Sequence, residues 1–397
     1  TVVMGLARTD IDYFPLTVEY VERLYAGGRI KGSRWVKREG RPTDDAVLTA
    51  RLIDRSVRPL FPKEFKKEVQ IIATVLSVDG ENSPDILSVV ATSAALAISP
   101  IPWKGPVGSV RIGYVKPKEK DPETSSGDFI VNPGVAESEL SELDLIVTSL
   151  KGLPADRQGK TLMLEAGALQ VSEDIALEGI KKAQSENDKI IDFIEDFAKK
   201  NGAKKEEVKP NTQYQELIAL LEKSYKTEIV EMIKNRVTKE SAGDASSFID
   251  KIVEEQKTKS NLADAKDGFM DKKLIAKAVE YIMFKNLRVN TLKGTRPDGR
   301  KFDEIRPISC QIGVLPRTHG SAIFNRGDTQ ALTIVTLGSP RMEQLIESAE
   351  GEESKRYIHH YNMPPYSVGE AGRLGFTSRR EIGHGALGER AIMGVIP

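Results

Sequence analysis

Arg379-Arg380-Glu381-Ile382-Gly383-His384-Gly385-Ala386-Leu387-Gly388-Glu389-Arg390 lies near the C-terminal end of the 397-residue chain, and its surroundings occur twice. Leu387-Gly388-Glu389-Arg390-Ala391-Ile392-Met393-Gly394-Val395-Ile396-Pro397 aligns without a gap on Leu52-Ile53-Asp54-Arg55-Ser56-Val57-Arg58-Pro59-Leu60-Phe61-Pro62. Upstream, Arg379-Arg380-Glu381 matches Lys37-Arg38-Glu39, and Glu370-Ala371-Gly372-Arg373 matches Ala26-Gly27-Gly28-Arg29. Pro364-Pro365-Tyr366-Ser367-Val368 corresponds loosely to Phe14-Pro15-Leu16-Thr17-Val18. The pieces keep one order in both halves, with a longer insertion between Glu39 and Leu52. Similarity at so long a spacing means two copies of one domain, since solenoid repeats have much shorter periods.

The arginine pair sits among glycines, after Phe376-Thr377-Ser378 and the run His359-His360-Tyr361-Asn362-Met363-Pro364-Pro365-Tyr366. A guanidinium is planar, permanently charged and able to hold two oxygens of one phosphate. Glycines allow close backbone approach to a ligand. The plain alternative is a solvated basic turn.

The chain is long enough for two or three domains with sizeable cores. Its 58 basic and 58 acidic residues cancel, so attraction to nucleic acid must come from local clusters of arginine and lysine. One cysteine, Cys310, excludes an intrachain disulfide and fits a reducing cytosol. The four histidines, His319, His359, His360 and His384, lack zinc-site spacing. Thr1-Val2-Val3-Met4-Gly5-Leu6-Ala7 reads as a buried strand cut partway, not a signal peptide. The apolar run from Ile86 to Ile101 is too short to span a membrane and reads as a core helix, started by Ser83-Pro84-Asp85 and stopped by Pro100.

Residues 1–203 alternate strand-like and helix-like segments. Strands are expected at Val69 to Val78, Val107 to Val115, Phe129 to Asn132, Leu143 to Ser149 and Thr161 to Glu165. Thr43 to Arg55 reads as a helix with Val47, Leu48, Leu52 and Ile53 as its apolar stripe. Arg51 and Arg55 stand one helical turn apart and can point the same way; pairing with Asp44, Asp45 or Asp54 is the equal alternative. A second helix, Ser172 to about Lys200, presents Ile190, Ile191, Ile194 and Phe197 on one face. Residues 204–290 are rich in Lys, Glu, Ala and Leu, which marks a helical insert with solvated charges. Leu217, Leu220 and Leu221 form one apolar cluster there, and Leu274, Ile275, Val279 and Ile282 another.

Further motifs complete the picture. The second copy carries Arg296-Pro297-Asp298-Gly299-Arg300, Leu315-Pro316-Arg317-Thr318-His319-Gly320-Ser321 and Arg326-Gly327-Asp328-Thr329-Gln330. The first carries Lys37-Arg38-Glu39-Gly40-Arg41-Pro42, Arg51 to Pro62 and Asp79-Gly80-Glu81-Asn82-Ser83-Pro84-Asp85. Together these resemble the bacterial polynucleotide phosphorylases, duplicated RNase PH-type exoribonucleases, over essentially the whole chain.

The resemblance implies an α/β fold: two RNase PH-like domains of the ribosomal protein uS5 domain 2-like β-α type, the second truncated, joined by an all-α linker. The expected limits are 1–203, 204–290 and 291–397. It implies phosphorolytic 3′-to-5′ degradation of single-stranded RNA, with inorganic phosphate as co-substrate and nucleoside diphosphates as products. Arg379, Arg380 and His384 match the family's catalytic motif. Lys37, Arg38 and Arg41 match a basic RNA-guiding loop in a degenerate first domain, and Arg51 and Arg55 are candidate RNA contacts beside it. Where the family commonly has Phe-Phe-Arg-Arg, this chain has Trp35-Val36-Lys37-Arg38. Lysine keeps the charge and loses the guanidinium fork, and Trp35 offers one surface for base stacking, worth roughly 1–3 kcal/mol; a tryptophan packed under the loop is the alternative.

The family also implies Mg2+, whose ligands, with a serine-rich phosphate loop, are expected after Pro397. No metal role falls to Asp298, Asp303 or Asp328, the last read as structural in its turn. The 397 residues by themselves are therefore expected to be inactive, with uncovered apolar strand faces in the second copy. A cytoplasmic homotrimer with RNA-degradosome partners and no membrane association completes the expectation. A non-catalytic RNA-binding or ring-building subunit is the rival.

Overall fold

The computed structural model describes residues 1–7, 13–116, 127–152, 160–208, 211–235, 242–259 and 272–396. Pro397, the last residue of the repeat, lies outside them. Two units divide the chain: Thr1–Val208 with Ser339–Pro397, and Lys209–Gly338.

In the first unit the elements run β1 (Val2–Ala7), β2 (Leu16–Val21), α1 (Asp44–Val57), β3 (Lys67–Thr74), α2 (Pro84–Ile98), β4 (Gly108–Val115), β5 (Asp128–Val131), α3 (Val135–Glu139), β6 (Leu143–Leu150), β7 (Lys160–Ala168) and α4 (Glu173–Asn201). One sheet has the order β1-β3-β2, with β3 antiparallel to β1 and parallel to β2. The other is antiparallel, β5-β4-β6-β7. The strand-like run at Leu143 becomes the buried centre of this second sheet, and its two faces separate by the period of two. Leu143, Leu145 and Val147 join Val110, Ile112 and Tyr114 of β4 in the core shared with Ala183 of α4. Ile146 faces the other core, with Ile53 and Val57 of α1, Val89 and Leu96 of α2, and Val69 and Ile71 of β3. Thr148 points the same way and exchanges a hydrogen bond with Ser56 of α1 at 3.0 Å, while donating to Ser109. Satisfied in this chain, the buried hydroxyls cost little. Gly108 lets α4 come close, because a Cβ there would stand 2.5 Å from the Asn187 carbonyl oxygen.

The caps follow the sequence. Thr43 accepts from the Ala46 amide, and Ser172 from the Ile175 amide. Ser83 occupies the cap position of α2 without a side-chain capping bond, and Asp85 in its first turn pairs with Arg111. On α4, Ile191 and Ile194 are buried, but Phe197 is exposed. The opening strand also departs from expectation: β1 is an edge strand whose Val3 and Leu6 are exposed, so only Val2 and Met4 pack on the core. Nor are the charges after residue 203 all solvated. The Lys205 ammonium donates to the carbonyls of Leu96 and Ser99 at 2.6 and 2.8 Å, capping α2, and burial lowers its pKa.

The second unit contains α5 (Thr212–Ser224), α6 (Lys226–Asn235), α7 (Ala242–Lys259) and α8 (Lys272–Leu292). The two apolar clusters expected here merge: Leu217 and Leu221 share one core with Ile275, Val279 and Ile282, closed by Ile229 and Ile252. An antiparallel meander follows, β8 (Ile308–Ile312), β9 (Gly320–Arg326) and β10 (Thr329–Val335). Gly327 and Asp328 form a two-residue hairpin loop, with Gly327 at φ +59°. The conspicuous Arg296-Pro297-Asp298-Gly299-Arg300 closes on itself, Arg300 pairing with Asp298 and Arg296 donating to the carbonyls of Lys301 and Glu304. Ile312 of β8 and Leu332 and Ile334 of β10 are exposed.

The rest of the first unit is a hairpin, β11 (Gln344–Glu347) and β12 (Glu352–Lys355), and then α9 (Arg379–Met393). The hairpin tip docks on the first copy: the Ala349 amide donates to Glu22, and Ala349 is buried against Gly27. The structure also corrects the register of the repeat. A 3-10 turn at Leu24–Gly27 is closed by left-handed Gly28, and an equivalent turn at Pro365–Val368 by left-handed Gly369. The bonding repeats as well, Gly28 to Tyr25 and Arg29 to Leu24, Gly369 to Tyr366 and Glu370 to Pro365. Gly28 therefore corresponds to Gly369, not Gly372; the local sequences diverge enough that only the backbone reveals it.

Candidate phosphate and nucleic-acid interface

Two arginines at the start of a helix meet the positive end of its dipole, so the arrangement needs compensation. It begins with a capping box: Ser378 accepts from the Glu381 amide at 3.2 Å, and the Ser378 amide donates to Glu381 at 2.7 Å. Glu381 also accepts from the Met363 amide at 2.8 Å. These donors, Met363 first, hold its carboxyl below the usual range. Arg379 is compensated by the first copy. Its fork meets both oxygens of Glu19 at 2.7 Å and the Val18 carbonyl at 2.7 Å. Arg380 is exposed and has no such partner among the described residues. His384 is exposed, with its ring stacked on Tyr361 at 5.0 Å and 24°.

The duplicated helices α1 and α9 pack on each other, and the glycines of the opening motif make that possible. A Cβ at Gly383 would stand 2.5 Å from Nε of Arg51, and one at Gly385 2.9 Å from the His359 carbonyl. Their role is approach of the protein to itself, where the sequence suggested approach to a ligand. Arg55 pairs with Glu165 of β7, not with the aspartates of its own helix. Arg390, its repeat partner, meets the other oxygen of Glu165 at 2.7 Å. Arg51, Arg55, Glu165 and Arg390 line a cleft of about 20 Å³ with Leu48 and Leu387. Burial lowers the pKa of Arg51, aided by the charges of Arg55 and Arg380. Arg51 and Arg55 thus lie at the contact between the two copies, with Arg380 near enough to repel Arg51.

The basic loop stands apart from that cleft in its bonding. Lys37, Arg38 and Arg41 are exposed, and Trp35 is 87% exposed. The Lys37 ammonium donates to the Lys31 carbonyl at 2.9 Å. Glu39 accepts from the Leu24 amide at 2.9 Å, as its counterpart Glu381 does from Met363. The guanidinium of Arg41 lies over the Phe376 ring, 5.4 Å from its centroid, and that of Arg373 lies at 4.5 Å.

Sequence reasoning missed Glu19, Glu165, Arg390, Arg373 and Phe376. Arg390 was within reach, because it aligns with Arg55 in the repeat. Glu19 and Glu165 carry no local signal; each is an ordinary acidic residue of a strand until folding sets it beside an arginine.

Among the described residues no group of three or more His, Cys, Asp or Glu side chains could hold a metal ion. The described residues therefore do not form a magnesium site. No helix among them is long and apolar enough to cross a membrane.

The family model described as "3' exoribonuclease family, domain 1" matches residues 1–102 and again 304–397, one domain found twice. The polyribonucleotide nucleotidyltransferase of Caldicellulosiruptor saccharolyticus is 45% identical over 98% of this chain and 52% of its own length. That of Halothermothrix orenii is 44% identical over 100% of this chain and 54% of its own. The chain spans about half the length of the curated relatives it matches.

Proposed function

The chain belongs to the RNase PH-type 3′ exoribonuclease family, similar over nearly all its length to polyribonucleotide nucleotidyltransferases, and from this we propose that it acts in phosphorolytic 3′-to-5′ degradation of RNA. Inorganic phosphate attacks the last phosphodiester, the new phosphorus–oxygen bond replaces the one to the shortened chain, and a nucleoside diphosphate leaves. The reverse reaction is polymerisation. Attacking and reacting groups are both anionic, so the site must gather phosphates and balance their charge. The observation that carries this reading is Arg380, an exposed guanidinium without a carboxylate partner among the described residues, at the first turn of α9 and in the motif the family uses for that purpose. Arg379 orients the helix start through Glu19 and is available to phosphate if that pair opens. His384 contributes an exposed ring beside them. Lys37, Arg38 and Arg41 draw in single-stranded RNA, with Arg51 and Arg55 behind. Magnesium would be held by residues other than those described.

We take 1–203 and 291–397 as the RNase PH-like domains and 204–290 as the linker, supported by the four helices α5–α8 between the two family matches. A cytoplasmic homotrimer with the basic loop lining its channel, and degradosome partners, rest on the family resemblance and the loop's exposure.

The second reading, a non-catalytic RNA-binding or ring-building subunit, draws on the filled fork of Arg379. A chimera separates the two: residues 1–397 replace the matching half of the Caldicellulosiruptor saccharolyticus protein. Given polyadenylate, magnesium and phosphate, it should release adenosine diphosphate, and Arg379→Ala with Arg380→Ala should abolish this. Release of monophosphate, or undiminished release by the double variant, would overturn the proposal. A folded, RNA-binding but inactive chimera would favour the second reading.

A further inference from the structure

Phe376 is 52% exposed, and two cations lie over its ring. Arg41 comes from the basic loop of the first copy and Arg373 from the second, with guanidinium carbons 5.4 and 4.5 Å from the ring centroid. Neither has a carboxylate partner among the described residues. Two like charges gathered on one aromatic ring repel each other, and their hydrogen-bond donors remain available to an anion. Gly375, at φ +94°, turns the chain just before Phe376, a conformation that favours glycine. Phe376 precedes Arg379 by three residues, at most about 11 Å of extended chain. A stacked strand advances about 3.4 Å per nucleotide, so this distance covers about three nucleotides.

We infer that Arg41, Phe376 and Arg373 form a nucleotide subsite for single-stranded RNA, next to the Arg379–Arg380 helix start. An unpaired base stacks on the pile of ring and guanidinium planes, and its phosphate lies between the two arginines. Stacking of this kind tolerates every base, because each has a π face, and the paired cations supply the backbone attraction. The subsite joins the two copies: the basic loop of one and the approach to α9 of the other grip the same nucleotide. It rests on the RNA-degrading reading and adds to it a particular ring and a particular distance from the 3′ end.

The test places 2-aminopurine in a short oligoadenylate, either at the third nucleotide from the 3′ end or at the 5′ end, and titrates each probe with the 397-residue chain. Stacking on the subsite should quench the 3′ probe for the unaltered chain and for Phe376→Tyr. With Phe376→Ala the quenching should disappear and affinity fall about tenfold. Arg373→Gln should lower the slope of log affinity against log salt by about one. If Phe376→Ala binds and quenches as the unaltered chain does, the subsite is wrong and the RNA reading stands. If both probes lose quenching equally in Phe376→Ala, the residue supports the fold and the subsite is again wrong. Failure of the unaltered chain to bind either probe would overturn the subsite and the RNA reading together.

Discussion

Arg379 and Arg380 are neighbours in sequence with different surroundings. The first is bound by Glu19 and the Val18 carbonyl; the second is open to solvent. The pair was legible in the sequence as a possible phosphate clamp, but the division of labour was not, because Glu19 is 360 residues away. The same limit hid Glu165. Two arginines at equivalent repeat positions, Arg55 and Arg390, share this one carboxylate, whose side chain is 12% exposed. Changing Glu165 to Ala leaves two partly desolvated guanidinium groups facing each other across α1 and α9. The expected loss is about 1–3 kcal/mol, measured by urea unfolding, with a smaller loss for Glu165→Gln. An unchanged midpoint for Glu165→Ala would show that the bridge holds nothing together.

Helices were the most legible elements, since their signals are local. Thr43 and Ser172 cap α1 and α4 as their residue types and positions suggest, and Pro84 opens α2. The strands were placed within a few residues, but pairing partners were not readable, because ladders join segments distant in sequence. The merging of two apolar clusters into one helical core, and the capping of α2 by Lys205, were hidden for the same reason. At the start of α9 the capping box is both structure and a pH-sensitive joint. The folded-state pKa of Glu381 lies below its ordinary 4.5 because the Met363 and Ser378 amides donate to it. A lowered pKa means that its stabilising bonds are fully present above the unfolded value and are lost as pH falls through the folded value. Amide exchange at Met363 and Ser378 should therefore be slow at neutral pH and accelerate on acidification below the ordinary glutamate range. Glu381→Ala should show the fast rates already at neutral pH. Exchange in the unaltered chain that is independent of pH, after correction for the intrinsic rate, would contradict this.

For the whole molecule, the duplication was the strongest signal in the sequence, and the family match to two separate stretches repeats it. What the sequence did not disclose is how the copies use each other: the glycines of the α9 motif admit Arg51 of α1, and Phe376 receives Arg41. Zero net charge gave no hint of a basic face, yet Lys37, Arg38 and Arg41 are all exposed on one loop. Replacing these three with alanine should weaken binding of long single-stranded RNA and lower its salt slope by about three, since each removed cation releases about one counterion fewer. Binding of a short oligonucleotide should suffer less; an equal loss on both would point to misfolding. The account as a whole depends on the helix start of α9 holding phosphate. Calorimetric titration of the chain with inorganic phosphate tests this most directly, using the unaltered protein and Arg380→Ala. The account predicts saturable binding, displaced by oligoadenylate with a free 3′ end, and weakened by about 1.5–3 kcal/mol when the open guanidinium is removed. Phosphate binding that is unchanged in Arg380→Ala, or absent from the unaltered chain, would contradict it.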